Sequence, residues 1–109
     1  MSDRQDYILE RARELASACG RAGIRDYQLG QVLTHLKRHR SVNATRKLLE
    51  ELRKSPFATR TKSSREQFEA LERHVGGELI RISDWQGAAE MVGWAKRLLR
   101  YHEQEHRYV

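Results

Sequence analysis

Cysteine and proline occur once each in this chain, as Cys19 and Pro56. A lone cysteine excludes an internal disulfide and any multi-cysteine metal site, and it makes an intracellular, cytoplasmic protein the simplest expectation. One proline and seven glycines leave few punctuation points, which favours helices over many short strands. No apolar run approaches the ~20 residues needed to span a bilayer, and no signal-peptide core opens the sequence, so no membrane partner is expected. Internal repeats, low-complexity stretches and a glycine-rich phosphate loop are all missing.

What is present is charge on a modest apolar base. Of 109 residues, 39% are hydrophobic and 33% charged. That is too apolar for disorder and more charged than an average domain, and it fits a thin helical bundle. The length suits one domain, residues 1–109. The expected fold is therefore all-α, a single-domain bundle of about five helices.

The charge is unevenly spread. Residues 37–65 hold ten Lys or Arg against two acids, Glu50 and Glu51. Residues 1–36 balance five against five, and residues 66–109 carry six bases and eight acids. The net charge of +6 thus sits mid-chain. A concentrated positive field between neutral flanks is the footprint of a polyanion, most often nucleic acid.

The apolar spacing predicts the helices. Ile8, Ala12, Leu15 and Cys19 mark one face of a helix over 4–19, capped by Ser2 or Asp3 and ended by Gly20 and Gly23. A second, about 27–40, is capped by Asp26, with Leu29, Val32, Leu33 and Leu36 inward. A third, about 42–54, is capped by Ser41, with Ala44, Leu48, Leu49 and Leu52 inward, and Pro56 ends it. Capping boxes Ser63–Glu66 and Ser83–Gln86 open two more. The first of these carries Phe68, Leu71 and Val75 until Gly76-Gly77 interrupts or ends it. Leu79, Ile80 and Ile82 then read as a frayed turn or a short extended piece. The last and longest helix, about 84–106, has Ala88, Met91, Val92, Ala95, Leu99 and His102 on one face.

Candidate contacts follow from which cations lack a helical acid. In the third helix Arg46–Glu50, Lys47–Glu51 and Glu50–Lys54 are i,i+4 pairs and compensate one another. The uncompensated cations lie at its two ends, Lys37, Arg38 and Arg40 before it and Arg60 and Lys62 after it, and Arg65 joins them as a candidate nucleic-acid contact. Lys37, Arg38 and Arg40 also suit the negative end of the second helix, which is a complete account without a ligand. Residues 55–63 have no acid, two cations and four hydroxyl side chains. They can wrap a phosphate backbone, or serve as a plain connector with Phe57 anchored in the core.

Trp94 and Tyr101 fall opposite the apolar face of the last helix, beside Arg97. Trp94, Arg97 and Tyr101 mark a candidate interface with a protein partner, self-association included. The alternative is a central helix that packs on two sides of its own bundle.

Catalytic and cofactor chemistry is not suggested. His35–His39 and His102–His106 are i,i+4 pairs without a third ligand, and neither has the metalloprotease pattern. Cys19 lies on an apolar stripe and reads as core. No metal, cofactor or enzymatic activity is expected.

Two segments resemble the small helical subunit of type III CRISPR effector complexes. Gly23-Ile24-Arg25-Asp26-Tyr27-Gln28-Leu29, continuing through Val32, Leu33 and Leu36, is similar to that family's G-L-T-x-S-Q-L-R start. Ala88-Ala89-Glu90-Met91-Val92-Gly93-Trp94-Ala95-Lys96, then Tyr101-His102, is similar to its closing F-E-A-x-V-A-Y-x-K helix. Asp26 and Tyr27 depart from the favoured Thr and Ser, and Gly93-Trp94 replaces Ala-Tyr. The resemblance covers under half the chain. It implies a non-catalytic bundle stacked beside a guide–target duplex in an antiviral ribonucleoprotein, with cleavage left to other subunits. The sequence reading is thus a subunit that binds RNA or single-stranded nucleic acid through its backbone, alongside other protein subunits. A protein-interaction module and a small helix-turn-helix DNA regulator are the alternatives.

Overall fold

Helix α1 (Asp3–Arg21) stops where its last carbonyls find partners outside the helix. Gly23 adopts φ 77°, its N–H donates to the Gly20 carbonyl at 3.3 Å, and the Ile24 N–H donates to the Cys19 carbonyl at 2.9 Å. This is a Schellman stop, and a side chain at Gly23 would strain its left-handed backbone. It drops Ile24 into the core at 1% exposure. The computed structural model describes residues 3–107, with side chains through residue 102. Ser2 lies outside the described residues, and Asp3 is already helical.

Five helical rods follow one another, with no strand among the described residues. Helices α2 (Asp26–His39) and α3 (Val42–Lys54) are joined by two residues. Helix α4 (Lys62–Leu71) passes through a π-helical turn (Glu72–Gly76) into α5 (Gly77–Arg81). Helix α6 (Trp85–Arg107) closes the described chain. Gly76 and Gly77 keep right-handed helical angles, so the glycine pair loosens the rod without ending it. Leu79 and Ile80 belong to its last turn.

The caps correct the expected starts by a residue or two. Arg25, in extended geometry, precedes α2, and its N–H donates to the Gln28 side-chain oxygen at 2.9 Å. Asp26 is therefore the first helical residue, not the cap. Thr61, not Ser63, caps α4 by accepting from the Ser64 N–H at 3.0 Å. Asp84, not Ser83, accepts from the Gly87 N–H at 2.9 Å ahead of α6. Ser41 caps α3 as expected, accepting from the Ala44 N–H at 3.1 Å.

Helix α6 is the central element and packs against both α1 and α2. Its buried stripe is Ala88, Met91, Val92, Ala95 and Leu99. It meets Ile8, Ala12, Leu15 and Cys19 of α1 and Leu29, Val32 and Leu36 of α2 in one core. His102 is exposed and lies beyond that stripe. Helix α3 is only half covered. Leu49 is buried, together with Val42 and Thr45, whereas Ala44, Leu48 and Leu52 are partly exposed. The stripe predicted for α3 is thus rotated, because α3 lies at the edge of the bundle. The molecule is a slab of 45 × 39 × 19 Å. A thickness of 19 Å is about that of two helices of ~10 Å stacked, so most helices keep one face in solvent.

Candidate nucleic-acid interface

The basic run turns a corner at Arg40. Its backbone has φ 51° and ψ 39°, and its N–H donates to the Leu36 carbonyl at 2.8 Å. A left-handed arginine is uncommon, since Cβ crowds the following carbonyl. The side chain crosses to the first residue of α6, with the guanidinium carbon 5.7 Å from the centre of the Trp85 ring. Just inside the corner, buried Thr45 donates to the Ser41 carbonyl at 3.3 Å, and its Oγ1 lies 2.8 Å from His35 Nδ1. Burial, then the neighbouring His39 and Arg38, hold His35 below the ordinary histidine value. His35 therefore braces α2 on α3 as a neutral ring.

Two shallow grooves meet on the outer face of this corner. One, of about 440 Å³, is lined by Arg40, Asn43, Arg46 and Trp85 among others. The next, of about 430 Å³, is lined by Asn43, Arg46, Lys47 and Arg73 among others. They share Asn43, Arg46 and Ile80, so they form one track running across the start of α3 to the π turn. Three acids border the track, and each is engaged elsewhere. Glu50 takes Lys54 at 2.7 Å, Glu72 takes Arg53, and Asp84 takes Arg4 at 2.5 Å. Among the described residues Arg40, Arg46, Lys47 and Arg73 form no ion pair. Of the three i,i+4 pairs expected along α3, only Glu50–Lys54 forms.

A second cationic cluster lies past the other end of α3. The loop at residues 55–61 is held by its own hydroxyls. Ser55 Oγ accepts from the Ala58 N–H at 3.3 Å, and the Thr59 hydroxyl donates to the Ser55 carbonyl at 2.6 Å. Thr61 accepts from the Ser64 N–H and donates to Ser64 Oγ, both at 3.0 Å. Thr59 and Thr61 thus direct their hydroxyl hydrogens into the loop and its following turn, whereas Ser55 Oγ only accepts and keeps its own hydrogen to donate. Phe57 is 79% exposed, so it does not anchor the loop in the core. Arg60 lies over its ring, at 5.5 Å. Lys62 and Arg65 stand in the first turn of α4, which contains no acid. Cations there oppose the helix dipole, at ~0.3–1 kcal/mol each unless an anion is near. The 13 residues of α3 separate the two clusters by ~20 Å.

The aromatic face is partly a third basic site. Trp94 is 38% exposed, and the Arg97 guanidinium lies 5.2 Å from its ring centre. Both line a small groove with Leu33 and Lys37. Lys37 therefore belongs with Trp94 and Arg97, not with the Arg40 track. Tyr101 is 62% exposed and meets His102 edge-on. Leu98 turns the other way, into a cleft of about 820 Å³ beside Ala16, Gly20 and Ile24 of the α1 end. Sequence reasoning did not foresee that cleft, nor that the fold brings Arg46, Arg73 and Trp85 together with Arg40 along adjoining grooves. Arg40 and Arg73 are joined only by the fold, and no spacing rule could have paired them.

Other reactive groups are occupied structurally. Burial pushes the Cys19 thiol up to about 12, far from the range of a nucleophile. No group of three or more His, Cys, Asp or Glu among the described residues could hold a metal. No helix among the described residues is long and apolar enough to cross a membrane. No family model matches the chain, and neither a curated protein nor a solved structure is found to be similar to it.

Proposed function

We propose that this chain is a non-catalytic subunit that holds the backbone of RNA within a larger ribonucleoprotein. One observation carries the reading: Arg40, Arg46, Lys47 and Arg73 line a continuous track while the acids beside it are engaged by Arg4, Arg53 and Lys54. A phosphate backbone matches such a track, because phosphate contacts need charge and reach but little shape. The cluster of Arg60, Lys62 and Arg65 extends the positive surface beyond α3. At ~3.4 Å per nucleotide in a helical strand, ~20 Å spans about six phosphates. The type III CRISPR setting is supported by the resemblance of residues 23–29 and 88–96 and by the all-helical architecture.

The test is a salt titration of binding to a mixed-sequence single-stranded RNA of about 20 nucleotides. Each phosphate contact contributes about 0.7 to the log–log slope. The expected slope is steep, about −3 or beyond, for the four track cations and their neighbours. A slope near zero removes the nucleic-acid reading and leaves an acidic protein as the partner. For the CRISPR setting, RNA recovered with the tagged chain from its own cells should be enriched in repeat-derived guides. Recovery of bulk RNA alone sinks that part.

A further inference from the structure

We infer that Phe57 is a base-stacking residue, which makes the loop at 55–61 a grip on unpaired nucleotides and not on a duplex. The inference rests on the nucleic-acid reading above and narrows its substrate to a strand with open bases.

The loop is built to hold a ring outward. Helix α3 ends at Ser55 in extended geometry, and Pro56 fixes the turn that follows. The Ser55 and Thr59 contacts at 3.3 and 2.6 Å close the turn on either side of Phe57. The ring stands at 79% exposure, the most of any large apolar side chain described. A phenyl group left in water forgoes roughly 2 kcal/mol of burial, and an ordered loop keeps it there. Arg60 covers one side of the ring at 5.5 Å, which leaves the other side for a flat partner. No acid occurs between Glu51 and Glu66, while Arg60, Lys62 and Arg65 do, and Lys54 and Arg53 are held by Glu50 and Glu72. Aromatic faces interleaved with cations are how proteins hold single strands: the bases stack, and the cations take the phosphates. A membrane wedge or a protein contact would also use an exposed Phe. The acid-free stretch of chain, with Glu50 and Glu72 nearby already held by Lys54 and Arg53, favours a polyanion that itself carries flat rings.

The experiment compares wild type, Phe57→Ala and Phe57→Trp. Affinities are measured for oligouridine and oligoadenosine 20-mers and for a 20-base-pair RNA duplex at one salt concentration, with a salt series for each. Phe57→Ala should weaken single-strand binding by about 5- to 100-fold with an unchanged salt slope and an unchanged duplex affinity. Phe57→Trp should retain single-strand binding, and its added emission should be quenched by either oligomer. Full single-strand affinity in Phe57→Ala, with a steep wild-type slope, overturns the stacking role and leaves the nucleic-acid reading intact. Equal losses on strand and duplex overturn it too. Release of Phe57→Ala from phosphatidylserine vesicles with RNA binding retained would make the loop a membrane wedge. If wild type binds no oligomer, both readings fall together.

Discussion

The guanidinium of Arg40 lies 5.7 Å from the ring centre of Trp85, and Arg40 reaches it from a left-handed backbone at φ 51°. Non-glycine residues there cost roughly 1–2 kcal/mol, and a cation–π contact at an exposed site returns ~0.5–1 kcal/mol. The contact alone does not cover the strain, but a cation at the C-terminal end of α2 adds ~0.3–1 kcal/mol, so the terms roughly balance and the arginine is close to neutral for stability. Arg40→Gly should therefore be as stable as wild type or up to about 1 kcal/mol more stable in urea unfolding, whereas Arg40→Ala should be less stable than Arg40→Gly. Both should lose RNA affinity. If Arg40→Gly is markedly destabilised, the arginine is there for the fold.

The track divides cations by whether an acid holds them. Arg46→Ala should reduce the magnitude of the log–log salt slope on single-stranded RNA by about 0.7, and Arg60→Ala with Lys62→Ala by up to about 1.4. Both should weaken all sequences alike. Lys54→Ala should leave the slope unchanged, because Glu50 holds Lys54 at 2.7 Å. An effect of Lys54→Ala equal to that of Arg46→Ala would mean that ion pairing in α3 does not select the contacts.

Much of the bundle is legible in the residues, and the reason is periodicity. The stripes of α1, α2 and α6 read directly from spacing because each faces the core with a full apolar side. Helix α3 escapes that logic. It lies at the edge, and Thr45 is buried through hydrogen bonds to Ser41 and His35, which no hydropathy pattern reveals. Helix starts slip for a local reason, since several residues with oxygen side chains compete near each start and only backbone geometry chooses Thr61 over Ser63 or Asp84 over Ser83. The candidate interface is legible only as charge. The sequence places ten cations within residues 37–65. Which of them are free depends on pairs that cross the fold, such as Arg53–Glu72 and Arg4–Asp84.

Arg11 of α1 and Glu78 of α5 are both largely buried, with Nε and Oε2 3.1 Å apart yet not aligned as a hydrogen bond. Burial pushes the Glu78 carboxyl above its ordinary 4.5, and the nearby Arg11 only partly reverses this. A raised carboxyl favours the folded state in its protonated form. Its contribution is full below about pH 4 and fades as pH rises through the raised folded value. Wild type should therefore lose stability relative to Glu78→Gln as pH rises above about 4. Glu78→Leu alone should cost about 3 kcal/mol by stranding Arg11, and Arg11→Met with Glu78→Leu should recover most of it. A pH-independent difference between wild type and Glu78→Gln would show that the carboxyl is ordinary.

Trp94 decides whether the α6 surface meets a partner. The ring is 38% exposed and shares a groove with Leu33 and Lys37 of α2, under the Arg97 guanidinium. A wholly buried Trp would cost ~3–5 kcal/mol on truncation. At this exposure the cost should be no more than about half of that. Such a half-covered ring beside two cations has the composition of an interface hot spot, where truncation costs ~2 kcal/mol or more in association. Tyr101, two turns on, extends the same face. Trp94→Ala should thus shift the urea midpoint modestly while abolishing assembly with neighbouring subunits at working concentrations, and Lys37→Ala should weaken assembly without touching stability. The decisive pair of measurements is urea unfolding of the Trp94→Ala monomer and its retention in the assembled particle. A loss near 4 kcal/mol with assembly intact would return Trp94 to the core of its own bundle.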